Sequence, residues 1–431
     1  MLVLYVLFFI LIYTRIQKKL RISRFLVLFY LISSLCSVYL FYCTDLYPGR
    51  IVSLESVAYY CGIFLLFILG VISIERSFKP LDNSVMNEKI ILLFSYFLIA
   101  ISLISFFYSF SRLSSDQLGS LDKVTQIRDD YNVNSANNEN QSIGLLGYIV
   151  GPANVLNGIK IFLFFYLINF FRYKHTKLAY LLLICSLTSV LENLTIVGRN
   201  ATMHWLILLM LNYTLFSAYL QISLKRKLKR LFYCILPLLL LPVIFITIAR
   251  FATERDAGML KGFISSFNSV IDYFGQGFIN FSYIYDYAFN FDFYGKFTFP
   301  IFWGSEALGH YEMNNMPYFR YALISLNSFY SFVGSFYMDF GFWGTILLSL
   351  SFYLLFKCIS KISSGNLPSV LLLIFSFEFL FMGIFYFMHW APMFQKMYVF
   401  AIFWCVYEKI AEKKRSRIYY YRKGTSIVRR C

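Results

Sequence analysis

A helix needs about 20 apolar residues to cross roughly 30 Å of hydrocarbon, and runs of about that length recur from one end of this chain to the other. Of 431 residues, 59% are hydrophobic and only 14% are charged, and the mean hydropathy is +0.64. An ordinary soluble domain is nearer half apolar and about a quarter charged. Such a chain cannot be a disordered segment, a nucleic-acid-binding domain or a small disulfide scaffold. It reads as an all-α polytopic membrane protein.

Eleven spans are predicted: Met1–Tyr13, Phe25–Cys43, Ser56–Ile74, Ile90–Phe110, Leu145–Phe171, Leu178–Val197, Ala201–Leu224, Leu231–Ala249, Phe336–Phe356, Leu367–Phe387 and Phe394–Tyr407. The first and last runs are short for a crossing, which calls for tilt or a locally thinned bilayer. The first run lacks a basic leader and a small-residue cleavage site, so it is expected to be a retained helix. Seven of the eight cysteines (Cys36, Cys43, Cys61, Cys185, Cys234, Cys358 and Cys405) lie in or beside apolar runs, and Cys431 is the last residue. No Cys-x-x-Cys or Cys/His spacing occurs, so the cysteines are expected to be small buried hydrophobes rather than redox or zinc ligands.

The net charge of +17 could mark a polyanion partner, but its distribution argues for topology. With the first connection placed inside, the inner segments hold 27 of the 39 Lys and Arg and only 5 of the 22 Asp and Glu. That is the positive-inside pattern, with basic residues set against anionic head groups. Residues 1–249 then form spans 1 to 8 with an outer loop at 111–141, and 250–335 form a large outer loop. Residues 336–407 form spans 9 to 11, and 408–431 a basic inner tail. Loops as long as the two outer ones usually carry function.

Between Arg250 and Arg320, 21 of 71 residues are Phe, Tyr or Trp, against 21% of the whole chain. Such rings settle at head-group level and stack on the apolar faces of sugars or lipids. Arg199, Arg250, Arg255 and Arg320 stand at the outer ends of spans or of the large loop, where cations are disfavoured. A guanidinium is a planar fork of donors that matches phosphate oxygens, and a lipid-linked phosphate lies at this depth. The alternative partners are acids: Glu254 lies four residues after Arg250, and Glu192 seven before Arg199. Lys160, His204 and Glu378 fall inside spans, where ionisable groups are costly and often functional. His389, in an outer turn, is a candidate base or a structural hydrogen-bonding group. No Walker loop, dinucleotide-binding glycine pattern, nucleophile elbow or His-Glu-x-x-His motif occurs.

One family shares several local patterns. Asp292-Phe293-Tyr294-Gly295-Lys296-Phe297-Thr298-Phe299-Pro300 is followed by Asn327-Ser328-Phe329-Tyr330 and by Gly334-Ser335-Phe336-Tyr337-Met338-Asp339-Phe340-Gly341-Phe342-Trp343-Gly344. These stretches resemble the late outer loop and following helix of Wzy-type O-antigen (oligosaccharide repeat unit) polymerases. The family's Tyr-x-Asp-Phe-Gly-x-x-Gly pattern matches Tyr337 through Gly344, and Gly198-Arg199 at a helix start is also similar. The resemblance implies a GT-C-like bundle of 11–12 helices in the bacterial inner membrane, with its catalytic face and a helix-containing loop in the periplasm. It implies a glycosyltransferase that needs no nucleotide sugar, cofactor or metal. Its substrates would be undecaprenyl-pyrophosphate-linked oligosaccharides, with membrane lipids, a chain-length regulator and a flippase as partners and no nucleic acid.

In that reaction the donor bond is already activated, so stabilising the departing pyrophosphate is the main demand. Arg199, Arg250 and Arg320 are the expected ligands, with Arg255 beside them. His310, Glu306 and His389 are the candidate bases. Tyr294, Lys296, Trp303 and Asn327 are expected at the substrate. Asp339 is expected to contribute to the site or, by preference, to cap the helix it begins. An O-antigen ligase shares the loop and arginine logic and stays open as an alternative. So does a lipid-oligosaccharide flippase, although few charges line the spans. A chain-length regulator needs fewer spans.

Overall fold

The computed structural model describes residues 1–77, 88–112, 147–171, 174–195, 200–217, 220–234, 237, 241, 259–286, 293–303, 329–362, 367–385, 394–407 and 410. Among them the chain is all-helical, 86% helix with no strand. Four helices open it: α1 (Val3–Arg15), α2 (Arg21–Cys43), α3 (Leu54–Ser77) and α4 (Glu88–Arg112). There follow α5 (Gly147–Val155), α6 (Asn157–Phe170), α7 (Thr176–Cys185), α8 (Thr188–Thr195) and α9 (Asn200–Phe216). The last three are α10 (Met259–Asp286), α11 (Ser331–Ile362) and α12 (Leu367–Met382), and residues 222–234 and 394–407 are helical too.

Four helices, Arg21–Cys43, Leu54–Ser77, Glu88–Phe110 and Ser331–Lys361, are long and apolar enough to cross a membrane. Val3–Arg15, Asn157–Phe170, Ala201–Phe216 and Leu371–Met382 are apolar but shorter. Helices of this kind point to a membrane protein.

Two of the expected spans are broken. Leu145–Phe171 divides into α5 and α6 at Leu156 (φ −86°, ψ 16°), with Pro152 inside α5. Proline removes a donor and crowds the preceding turn. Leu178–Val197 divides into α7 and α8 around Ser186. There the Ser186 hydroxyl donates to the Leu183 carbonyl (2.6 Å) and the Thr188 hydroxyl to that of Cys185 (3.3 Å). Local hydroxyl bonds of this sort compete with the helical ladder.

Aromatic rings fill the interior. Phe278 lies 4.7 Å from Tyr5 and 5.0 Å from Tyr60, centroid to centroid, and Phe67 sits among Phe332, Phe352 and Phe379. The segment expected as a large outer loop contributes more than short helices, because α10 is 28 residues long and buries Gln276, Phe278, Ile279, Asn280, Phe281, Ser282 and Ile284. It crosses α2 at Gly275, where an added Cβ would stand 2.7 Å from the Cys36 carbonyl carbon. The Ser33 and Ser37 hydroxyls donate across this crossing to the carbonyls of Phe274 (2.6 Å) and Gly275 (2.5 Å).

The cysteines are free among the described residues. Cys185 and Cys405 are buried as expected, but Cys43, Cys234 and Cys358 are exposed, because they fall on the outward faces of their helices.

Candidate functional site

The segment 293–303 runs over the start of α11, and its shape is set by two buried side chains. Asp339 is wholly buried. Its carboxylate accepts the Phe297 N–H (3.3 Å), the Thr298 N–H (2.5 Å) and the Thr298 hydroxyl, while its own carbonyl accepts the Tyr294 N–H (3.0 Å). Gln395, from the helical stretch 394–407, donates to the Thr298 carbonyl (2.6 Å) and accepts the Ile301 N–H (3.3 Å). Asp339 lies two residues before the Gly341 break, past which the second helical piece begins, but with its oxygens committed to residues 297 and 298 it does not cap that piece as expected. Its carboxylate folds over the neighbouring turn instead. This makes it a positioning residue with no oxygen facing an open site.

Backbone conformation marks the same place. Tyr294 (φ 50°) is in the left-handed region, followed by Gly295 (φ 88°). A bulky residue held there costs of order 1–3 kcal/mol, and such strain concentrates at functional sites. Gly341 (φ 60°, ψ −165°) breaks α11 two residues after Asp339, in a region that essentially only glycine occupies. The Tyr59 hydroxyl of α3 donates to the neighbouring Phe342 carbonyl (2.7 Å).

The turn and the break enclose a cleft of about 440 Å³. Tyr294, Phe302, Trp303 and Phe340 form its outer part, and Leu348, Phe352 and Leu355 of α11 continue it along the helix. Lys296 places its ammonium 5.2 Å from the Trp303 ring centre. That is a cation–π distance. Trp303 lines the cleft, so a cation stands beside one wall of an apolar slot.

A second cation lies at the same end. Arg50, in the loop between α2 and α3, is sandwiched between Tyr47 and Tyr283, its guanidinium carbon 4.9 Å and 4.7 Å from the two ring centres. One of its nitrogens donates to the Asn280 amide oxygen. Tyr47 in turn donates to Asp272. Burial pushes the guanidinium below its ordinary value, opposed by Tyr47, Tyr283 and Asp272, and pushes the Asp272 carboxyl up, opposed by the Tyr47 bond and Arg50. Rings of Tyr59, Tyr285, Tyr337 and Phe342 pack on one another where α3, α10 and α11 meet. With its faces covered by rings, Arg50 has only its edge left for an anion.

Of the residues expected at the site, Tyr294, Lys296, Trp303 and Asp339 come together here. Arg199, Arg250, Arg255, Arg320, Glu306, His310, Asn327 and His389 lie outside the described residues. Arg50 and Gln395 were not singled out from the sequence. The rule that picked the other arginines, a cation at the outer end of a span, also picks Arg50. Gln395 carries no such signal.

Inside the bundle, among the described residues, Glu378 meets His204 and not Lys160. His204 Nε2 lies 2.5 Å from Glu378 Oε1. Lys160 donates to the Ser102 hydroxyl (2.9 Å), the Cys185 carbonyl (2.9 Å) and the Thr188 hydroxyl (3.3 Å). Searches against protein-family models, curated proteins and solved structures find no match to this chain.

Proposed function

We propose that this protein is an O-antigen or related surface-polysaccharide polymerase. It would join undecaprenyl-pyrophosphate-linked oligosaccharide units at the periplasmic face of the bacterial inner membrane, with eleven or twelve spans and the 250–335 segment on that face. The observation that carries the reading is the cleft beside α11, an apolar slot walled in part by Trp303, with Lys296 over that ring. An isoprenoid chain needs the slot, its phosphates need a cation, and a sugar ring needs an aromatic face.

In this reading Lys296 and Arg50 join Arg199, Arg250, Arg320 and Arg255 in neutralising the pyrophosphate as it leaves. Glu306, His310 or His389 takes the proton of the acceptor hydroxyl. Tyr294, Trp303 and Asn327 bind the glycan, and Asp339 holds the turn that carries Lys296.

The test is extension of a defined undecaprenyl-pyrophosphate oligosaccharide by the purified protein in vesicles, with no nucleotide sugar present. Multimers with release of undecaprenyl pyrophosphate are expected, and Lys296→Ala and Trp303→Ala should slow them. Transfer only to a lipid A core acceptor would give the ligase instead. Movement of the substrate across the vesicle without multimers would give the flippase.

A further inference from the structure

We propose that the seam between α4, α5–α6 and α7–α8 holds a file of water running from the outer face to Lys160. The two interrupted helices face each other with polar residues at matching heights. Asn154 donates to Glu192, Asn157 donates to Ser189 (2.6 Å), and Lys160 donates to Thr188 and to the Cys185 carbonyl. These contacts follow one another along the seam past both breaks, so they form one polar stripe. The stripe opens at its outer end, where Asn154 and Glu192 are half-buried, and closes inward, where Asn157 and Lys160 are buried.

Two features call for a polar occupant. The Asn154 and Asn157 amide oxygens and the Ser105 and Ser109 hydroxyls are buried without a hydrogen-bond partner among the described residues. Ser105 and Ser109 lie three and seven residues after Ser102 on the face of α4 that meets Lys160. Buried polar atoms of this kind are normally paired, and ordered water is the usual remaining partner. Finally, Lys160 meets only neutral oxygens among the described residues. A lone ammonium inside a bilayer is costly, and water reaching it reduces that cost. The seam has donors and acceptors enough for water but no cluster of charge that would select an ion.

Radiolytic hydroxyl-radical labelling of the intact wild-type protein in lipid nanodiscs, read by peptide-resolved mass spectrometry, tests this. Radicals form from water, so a buried sulfur beside bound water oxidises while a dry one does not. Cys185, at the end of the file, should oxidise about tenfold faster than Cys405, although both are buried. Equal protection of the two overturns the proposal. In a second arm, Ser105→Cys and Leu103→Cys are treated with a cationic thiosulfonate from the outer side. The thiol in water should react about tenfold faster than the lipid-facing one, whose thiolate is suppressed. Equal rates count against the file. Asn157→Leu, which plugs the seam, should slow Cys185 oxidation, and an unchanged rate in a folded variant also counts against it.

Discussion

Replacing Asp339 by Ala strands two buried N–H groups and a hydroxyl in the 294–298 turn. Each unsatisfied group costs about 1–3 kcal/mol, so a loss of about 3 kcal/mol is expected in thermal unfolding of the detergent-solubilised protein. Asp339→Asn, which can still accept one N–H, should lose less. A loss no larger than that of an exposed substitution would remove Asp339 from its role. Asp272 gives a pH test. Burial raises its carboxyl above the ordinary value, so its favourable contribution is complete below about pH 4 and is lost as pH rises through the raised value. Asp272→Asn keeps an acceptor for Tyr47 and should therefore match or exceed wild-type stability at pH 7 and lose that advantage near pH 4, as melting curves at the two values would show. At this scale the sequence was informative where a local motif stood out: Tyr294 and Lys296 lie in the Asp292–Pro300 stretch, Trp303 just after it, and Asp339 in Tyr337–Gly344. It was silent on Gln395, because a buried amide that braces a turn 97 residues away leaves no local pattern.

Hydrophobic periodicity located the helices well where one face or the whole circumference is apolar. α2, α3 and α4 extend the predicted runs by only a few residues at an end. It failed where polar residues are buried. α10 carries Ser, Asn, Gln and Asp on a helix whose inner face is nonetheless packed, so its mean hydropathy falls below that of a span. The breaks at Leu156 and Ser186 were hidden because apolar residues continue through them. Gly275 is the element-scale test. An Ala there meets backbone atoms of α2, 2.7 Å from the Cys36 carbonyl carbon and 2.8 Å from the Ser37 nitrogen. Backbone cannot swing aside, so Gly275→Ala should cost about 1–3 kcal/mol of stability. Gly62→Ala has nothing within 4 Å and should stabilise α3 by up to about 1 kcal/mol. Equal melting shifts for the two would mean that α10 and α2 do not meet this closely.

Across the whole molecule, the charge distribution predicts that the end carrying Lys18 faces inward. Ile51, beside Arg50, is exposed, as is Lys18 in the first connection. A membrane-impermeant maleimide should label Ile51→Cys in intact spheroplasts and Lys18→Cys only after lysis. The reverse pattern would put Arg50 and the cleft in the cytoplasm, and the proposed periplasmic chemistry would go with them. The break at Gly341 divides α11 into two pieces that lie side by side: Phe336 of the first stacks on Phe352 of the second at 6.0 Å, and both meet Phe67 of α3. A side chain at position 341 would strain that reversal, so Gly341→Ala should loosen both pieces together and lower the melting temperature of the whole bundle.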